Sequence, residues 1–126
     1  MNVAKVILLV EDDSALRETL ARSLRARDYL VLKAGTFREA TAQMALKPAL
    51  LILDLTLPDA SGWDVADWLE SLTSPVPIVL ISGGTPDAAH LRHHHPVAFL
   101  PKPFATDDLV EVVERYVGIP ATPYGY

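Results

Sequence analysis

The chain has 126 residues, half of them hydrophobic, and a formal net charge of −5. This size suits one domain with a packed core and is too small for two. The net negative charge and the scattered Lys and Arg residues argue against direct nucleic-acid binding, which requires clustered basic residues. Cysteine is absent, which excludes disulfides and cysteine nucleophiles. The apolar runs are too short for a membrane span and no cleavable leader is recognised, so we expect a cytoplasmic protein without membrane contact.

Five apolar runs recur at nearly even intervals along the chain. They cover residues 6–10, 29–32, 50–53, 78–81 and 98–100. Three of them are continuous rather than alternating, which is typical of parallel strands covered on both faces. We therefore predict five strands at these positions.

The segments between the runs have the apolar spacing of helices. The predicted inner faces are Leu16, Leu20 and Leu24; Phe37, Ala40 and Met44; Val65, Leu69 and Leu72; and Leu109, Val112, Val113 and Tyr116. The predicted N-caps are Asp13 or Ser14, Thr36 with Glu39 as a capping box, and Thr106. Alternation of strands and helices predicts an α/β fold in three layers, with a parallel sheet, right-handed crossovers and helices on both faces.

Two segments depart from this regular pattern. The stretch "GGTPDAAHLRHHHP" is the weakest helix, because only Ala88 and Leu91 form an apolar stripe. Its His90–His95 run contains no acidic residue, so we interpret it as a solvated surface cluster rather than a metal site. The final "GIPATPYGY" is rich in Pro and Gly, so residues 1–117 are predicted to form the domain and 118–126 a tail or linker stump.

Polar residues stand at the carboxyl ends of the predicted strands. Glu11, Asp12 and Asp13 follow the first strand, and Asp54 ends the third. Ser82 ends the fourth strand and Lys102 follows the fifth. Because the carboxyl ends of parallel strands meet at one edge, where open α/β sheets bind their ligands, these side chains are expected to converge.

The chemistry of this set favours phosphoryl transfer. Clustered carboxylates with no His or Cys favour Mg²⁺, and a Lys with a hydroxyl suits a phosphate group. Asp54 would be the nucleophile and an acyl phosphate its product. Each residue also has an ordinary interpretation, as a helix N-cap, a turn residue or part of a loop. Their coincidence at the ends of four strands favours a site.

Over about residues 4–117 the chain resembles the response-regulator receiver domain, the phosphoacceptor module of two-component signalling. The stretches that carry the resemblance are "ILLVEDD", "LILDLTLPDASG", "PIVLISG" and "FLPKPF". Glu11 and Asp12 match the family's acidic pair, and Asp54, Pro58 and Gly62 match its Asp-x-x-x-Pro-x-x-x-Gly spacing. Ser82 matches its hydroxyl residue, and Lys102 and Pro103 match its Lys-Pro pair. The resemblance implies a flavodoxin-like, doubly wound (βα)5 domain with strand order 2-1-3-4-5.

The resemblance also implies a function. A histidine kinase or phosphotransfer protein would phosphorylate Asp54, with Mg²⁺ (or Mn²⁺) bound by Glu11, Asp12, Asp54 and the backbone carbonyl of Thr56. Ser82 and Lys102 would sense the phosphoryl group, Phe99 would be the rotameric switch, and the Lys102–Pro103 bond would be cis.

Output would follow from protein contacts. A downstream protein target would bind the face of the fourth helix, fifth strand and fifth helix, and phosphorylation could produce a homodimer. Such a domain catalyses only its own phosphorylation and dephosphorylation, so it is not classed as an enzyme.

The chain departs from the family pattern beside the predicted site. Gly83 replaces the usual small Ala and Gly84 follows it, which should loosen this loop. The stretch from Ser82 to Lys102 is about two residues shorter than usual, so a shortened fourth helix is expected.

Two other functions share part of this residue pattern. An aspartate-nucleophile phosphatase of the haloacid-dehalogenase type needs a second Asp two residues after the nucleophile, where this chain has Thr56. A receiver-like module that is never phosphorylated stays open. The sequence also leaves open the kinase, the target, the phosphoryl lifetime, the oligomeric state and whether the chain is part of a larger regulator.

Overall fold

A computed structural model describes residues 5–71, 76–84, 89, 91 and 95–120. Its elements are β1 (Val6–Val10), α1 (Ser14–Arg25), β2 (Leu30–Ala34), α2 (Phe37–Gln43), a 3₁₀ turn (Met44–Leu46), β3 (Leu50–Asp54), α3 (Gly62–Glu70), β4 (Ile78–Ser82), β5 (Ala98–Pro101) and α4 (Thr106–Val117). Helix α4 is the fifth helix of the sequence prediction. Most of the predicted fourth helix and of the histidine run lies outside the described residues, so its predicted shortening stays a prediction.

The five strands form one parallel sheet in the order β2-β1-β3-β4-β5, which confirms the expected topology. The predicted strand bounds are nearly correct. The largest difference is β2, which extends to Ala34 because Lys33 and Ala34 pair with Leu9 and Val10 of β1. Within the described residues, no helix combines the length and the apolar character needed to cross a bilayer.

The sheet separates two buried cores, as the three-layer prediction requires. Ile7 and Leu9 of β1 contribute to the core under α1 and α4, whereas Leu8 and Val10 contribute to the core under α2 and α3. Successive side chains of a strand point to opposite faces, so a strand covered on both faces must be apolar at every position. The continuous runs of the sequence therefore reflect burial on both faces.

Side-chain caps fix the starts of the first two helices. Asp13 Oδ1 accepts a hydrogen bond from the Leu16 N–H at 3.1 Å, and Thr36 Oγ1 accepts one from the Glu39 N–H at 3.1 Å. Both caps were predicted. Since each cap binds a backbone N–H that the helix itself leaves unpaired, it fixes where the preceding loop enters the helix.

The prediction for the C-terminal helix was wrong in two details. Thr106 is the first helical residue, and the N-cap position is occupied by Ala105, which offers no side-chain hydrogen bond. Tyr116 is 44% exposed, while Val110 is buried. Val117 also packs against the core. The inner face of α4 therefore includes Val110 and Val117 but not Tyr116.

Candidate functional site

Strand β1 places Glu11 at the carboxyl edge of the sheet in a fixed position. The Glu11 N–H donates to the Ala34 carbonyl at 2.9 Å and so continues the β1–β2 ladder. Arg17 Nη1 donates to the Glu11 carbonyl at 2.8 Å, and Glu11 Oε2 accepts from the Asp13 N–H at 3.2 Å. The side chain of Glu11 is fully buried. Backbone and side chain are therefore both anchored.

Asp54 is the last residue of β3 and is only 2% exposed. Its Oδ1 accepts a hydrogen bond from the Thr56 N–H at 3.0 Å. Carboxylate oxygens of Glu11, Asp12 and Asp54 lie within 4.8 Å of one another. The predicted convergence of the three acids is thus present in the structure, with Asp12 on the solvent side.

Lys102 lies across two of these acids. Its Nζ is 2.6 Å from Glu11 Oε1 and 3.3 Å from Asp54 Oδ2. Its backbone N–H donates to the Ser82 carbonyl at 2.8 Å, which ties the end of β5 to the end of β4. The Lys102–Pro103 peptide bond is cis, as the resemblance implies.

Ser82 is 5% exposed, and its Oγ accepts a hydrogen bond from the Gly84 N–H at 3.1 Å. No described atom lies within 4 Å of where a Cβ on Gly83 would stand, and neither Gly83 nor Gly84 has positive φ. The two glycines are therefore not demanded by crowding or by a left-handed backbone.

The surroundings of the acidic cluster shift the pKa values of Glu11, Asp12 and Lys102. Burial first, and then the neighbouring Asp54, raise the pKa of Glu11 to about 7, although Lys102 and the Asp13 N–H oppose the shift. Burial would raise the pKa of Asp12, but hydrogen bonds with Glu11 and Asp54 lower it overall. Burial would lower the pKa of Lys102, but Glu11 and Asp54 raise it overall. Glu11 therefore keeps its proton to a higher pH than an ordinary glutamic acid does.

The residues present fit a divalent cation. Among the described residues, these three carboxylates lie beside one ammonium group, that of Lys102, so acidic groups outnumber basic ones in the cluster. Glu11 Oε1 is buried and accepts no hydrogen bond of good geometry from the described residues, although Lys102 lies close to it. Such an oxygen is one that a hard cation can take as a ligand.

The other predicted site residues have defined positions. Thr56 and Pro58 are exposed in the loop after β3, Thr56 forms an isolated antiparallel bridge with Ser61, and Gly62 begins α3. Phe99 lies in β5, is partly buried and packs against the core under α2 and α3. Beside Lys102 and Pro103 opens a groove of about 440 Å³, lined also by Asp13, Leu16 and Phe104.

One residue near the site was missed by the sequence analysis. Asp59 accepts hydrogen bonds from the backbone N–H groups of Phe37 at 2.7 Å and Arg38 at 3.2 Å, at the start of α2. These N–H groups, that of Phe37 most, lower the pKa of Asp59. Its partners are more than twenty residues upstream, so local spacing carries no signal for this contact.

Comparisons with known proteins agree with this geometry. The family model of the response regulator receiver domain matches residues 7–114. Response regulator MprA of Mycolicibacterium vanbaalenii is 35% identical over 82% of this chain and 46% of its own length. Transcriptional regulatory protein PdtaR of Mycobacterium tuberculosis is 33% identical over 91% of this chain and 58% of its own length.

Solved structures give the same picture. The non-phosphorylated HemR receiver domain from Leptospira biflexa is 32% identical, with a TM-score of 0.81 over 94% of this chain and 98% of that one. A CheY-like receiver domain protein from Methanospirillum hungatei JF-1 is 24% identical and supports the fold alone, with a TM-score of 0.84 over 91% of this chain and 94% of that one.

A parallel sheet of this order, with clustered acids at its carboxyl edge, defines a class of doubly wound domains that bind ligands at that edge. Within that class, the chain belongs to the response regulator receiver domain family of two-component systems. It spans about half the length of MprA and somewhat more of PdtaR.

Proposed function

We propose that this chain is a phosphoacceptor domain in which Asp54 takes a phosphoryl group from a phosphohistidine donor. The observation that carries the proposal is the convergence of Glu11, Asp12 and Asp54 within 4.8 Å, with Lys102 beside two of them. Family membership supports the same role.

The chemistry at Asp54 is a single displacement at phosphorus. A carboxylate oxygen of Asp54 forms the new O–P bond while the P–N bond of phosphohistidine breaks, and the electron pair stays on the imidazole. Asp54 is held for this step by the Thr56 N–H, which fixes the rotation of the carboxylate. Lys102, already 3.3 Å from Asp54, supplies a positive charge for the transferred oxygens.

Mg²⁺, or Mn²⁺, would be held by Glu11, Asp12, Asp54 and the carbonyl of Thr56. When bound, the ion neutralises the negative charge that accumulates between the carboxylates and the phosphoryl group. Asp12, the exposed member, faces the solvent from which a cation arrives. Glu11 supplies the buried Oε1 that lacks a well-aligned hydrogen bond.

The response to phosphorylation would start at Ser82 and Phe99. Ser82 Oγ now accepts from the Gly84 N–H, so turning towards a phosphoryl oxygen would release that loop. Phe99 lies beside Leu80 in the β4–β5 pairing and could follow the movement inward. The change would act as a population shift between two arrangements of this edge.

The partners follow from this role. A histidine kinase or phosphotransfer protein supplies the phosphoryl group, and the output target binds the predicted fourth helix, β5 and α4, where a phosphorylated homodimer could also form. Because phosphohistidine donors are made from ATP, the chain would work in the cytoplasm, without contact to nucleic acid or membrane.

Residues 1–117 would form the receiver domain, and residues 118–126 a tail or linker. The domain would catalyse only its own phosphorylation and dephosphorylation.

Intact-mass spectrometry tests the proposal directly. The protein is incubated with acetyl phosphate and Mg²⁺, in parallel with Asp54→Asn and with Asp107→Asn as an exposed carboxylate control. We expect one phosphoryl adduct on the wild type and on Asp107→Asn, and none on Asp54→Asn. No adduct on a wild type that binds Mg²⁺ would favour the alternative of a receiver-like module that is not phosphorylated.

A further inference from the structure

The loop that follows Asp54, residues 55–61, is held by hydrogen bonds near its start and at its end. At its start the Thr56 N–H donates to Asp54 Oδ1 at 3.0 Å, and Thr56 also bridges to Ser61. Ser61 in turn is bound to Asp64 in the first turn of α3, through its N–H at 2.9 Å. The neck of the loop is therefore closed and tied to α3.

The tip of the loop is held by a different helix. Asp59 Oδ1 accepts from the Phe37 N–H at 2.7 Å and Oδ2 accepts from the Arg38 N–H at 3.2 Å. Leu57, beside the tip, is 9% exposed and packs in the core that also contains Ala40 of α2. The hydrogen bonds of Asp59 join the loop to α2 directly, and Leu57 shares a core with that helix.

The start of α2 has its donors fully assigned. The first two helical N–H groups, those of Phe37 and Arg38, donate to the Asp59 carboxylate. The N–H groups of Glu39 and Ala40 donate to the side-chain oxygen and the carbonyl of Thr36, respectively. Helix starts commonly satisfy these groups with nearby residues or water. Here a carboxylate more than twenty residues away along the chain takes two of them, so the helix start and the loop tip are fixed as one unit.

We propose that Asp59 is a positioning residue: it clamps the loop tip on the start of α2 and thereby holds Thr56 beside Asp54. The consequence for cation binding rests on the proposed function, since it is the Thr56 carbonyl that would meet the ion. Releasing Asp59 removes the tether on one side of Thr56 and leaves only the neck contacts to define its place.

The chain offers a matched control for this proposal. Thr36→Ala removes a cap from the same end of α2, at the Glu39 N–H, and keeps both acceptor oxygens of Asp59. Both Asp59→Ala and Thr36→Ala should therefore weaken the start of α2, whereas only Asp59→Ala frees the loop. Asp59→Asn keeps one acceptor oxygen and should lie between wild type and Asp59→Ala.

Two measurements test the clamp. The first is hydrogen exchange of the Thr56 amide, which does not depend on any ligand; we expect about tenfold faster exchange in Asp59→Ala and no change in Thr36→Ala. The second is calorimetric titration with Mg²⁺ alone; we expect about tenfold weaker binding in Asp59→Ala, partial recovery in Asp59→Asn and wild-type affinity in Thr36→Ala.

Each outcome has a defined meaning. Equal effects of Asp59→Ala and Thr36→Ala would overturn the proposal, because Asp59 would then be only a helix cap. Faster Thr56 exchange with unchanged Mg²⁺ affinity, in a wild type that binds the ion, would support the clamp and overturn its consequence for cation binding. If the wild type takes up neither Mg²⁺ nor a phosphoryl group, the proposed function fails, and the exchange comparison alone decides whether Asp59 holds the loop.

Discussion

Lys102 Nζ lies 2.6 Å from Glu11 Oε1, closer than the 3.3 Å that separates it from Asp54 Oδ2. The ammonium therefore mainly neutralises Glu11, which is fully buried. A buried carboxylate without a partner of opposite charge would strongly destabilise the fold. In the proposed function the bound ion takes over that neutralisation. Lys102 is then available to the phosphoryl group, so one lysine serves the site in both states.

Lys102 and a bound cation should therefore repel each other, because both are positively charged and lie beside the same carboxylates. In Lys102→Gln we expect about tenfold tighter Mg²⁺ binding, because a positive charge within a few ångströms of the ion's carboxylates is removed. Labelling by acetyl phosphate should become slower, because the charge that meets the phosphoryl oxygens is gone. Calorimetry and intact mass measure the two effects.

Lys33→Gln is the matched control for Lys102→Gln. Lys33 pairs with Glu18 at 2.7 Å, and neither residue belongs to the acidic cluster. Removing that pair should leave Mg²⁺ affinity and labelling unchanged and alter the stability of the protein little, because exposed ion pairs contribute little. If Lys102→Gln behaves like Lys33→Gln, the ammonium does not act on the site.

Tyr29 anchors the end of the domain. Its hydroxyl donates to the Gly118 carbonyl at 2.7 Å, and the side chain is 3% exposed. Tyr29→Phe should lower the free energy of unfolding at neutral pH by about 1 kcal/mol, since the carbonyl loses its donor. Tyr116→Phe, at an exposed position, should change it by less than about 0.5 kcal/mol. Urea denaturation of the three proteins makes the comparison.

The contribution of the Tyr29 hydroxyl to the free energy of unfolding should be lost at high pH. Burial, followed by the nearby charge of Glu114, raises its pKa to about 12 from the ordinary value of 10.0. A raised pKa means that the folded state favours the protonated phenol, so the stabilisation is full below pH 10.0 and is lost as the pH rises through about 12. The difference in stability between wild type and Tyr29→Phe should shrink over that interval. A constant difference would contradict this prediction.

Gly83 and Gly118 should respond to substitution in opposite directions. Gly83→Ala has open space around the new Cβ and no positive φ, so it should raise the free energy of unfolding by about 0.5 kcal/mol by restricting the unfolded chain. Gly118 ends α4 with φ 87°, which side chains rarely adopt, so Gly118→Ala should cost about 1 to 2 kcal/mol. Urea denaturation measures both; destabilisation by Gly83→Ala would mean that the loop needs its glycine.

Much of the fold could be predicted because burial on both faces leaves a strong pattern. Strands such as β1 and β3 must be apolar at every position, and polar residues can appear only where a strand leaves the core, as at Glu11 and Asp54. Once the strands were placed, the edge at which these residues meet followed from the parallel arrangement alone.

The contacts that were missed depend on how separate elements meet in space. Asp59 gives no local sign that it will bind the start of α2, and Tyr29 gives none that it will bind Gly118. Helix faces are uncertain for a similar reason: the turn of α4 that buries Val110 and exposes Tyr116 is set by its packing against the sheet and α1. Such features need the tertiary arrangement as well as the sequence.

Asp12 and Asp13 are identical neighbours with different surroundings, and they allow the sharpest test of the site. Asp12 belongs to the carboxylate cluster, whereas Asp13 Oδ1 caps α1 at the Leu16 N–H. Asp13→Ala should lower the free energy of unfolding by about 1 kcal/mol through loss of the cap. Asp12→Ala should change it by less than about 0.5 kcal/mol without Mg²⁺, because the side chain is exposed.

Adding Mg²⁺ should reverse the order of these two variants. At about 100 times its dissociation constant a ligand stabilises the folded state by about 2.7 kcal/mol, and we expect this gain in wild type and in Asp13→Ala. Asp12→Ala should gain little, since an acid that would bind the ion is missing. Urea denaturation with and without Mg²⁺ gives all values in one series. Equal stabilisation of both variants would remove Asp12 from the proposed site and leave Glu11 and Asp54 as its only carboxylates.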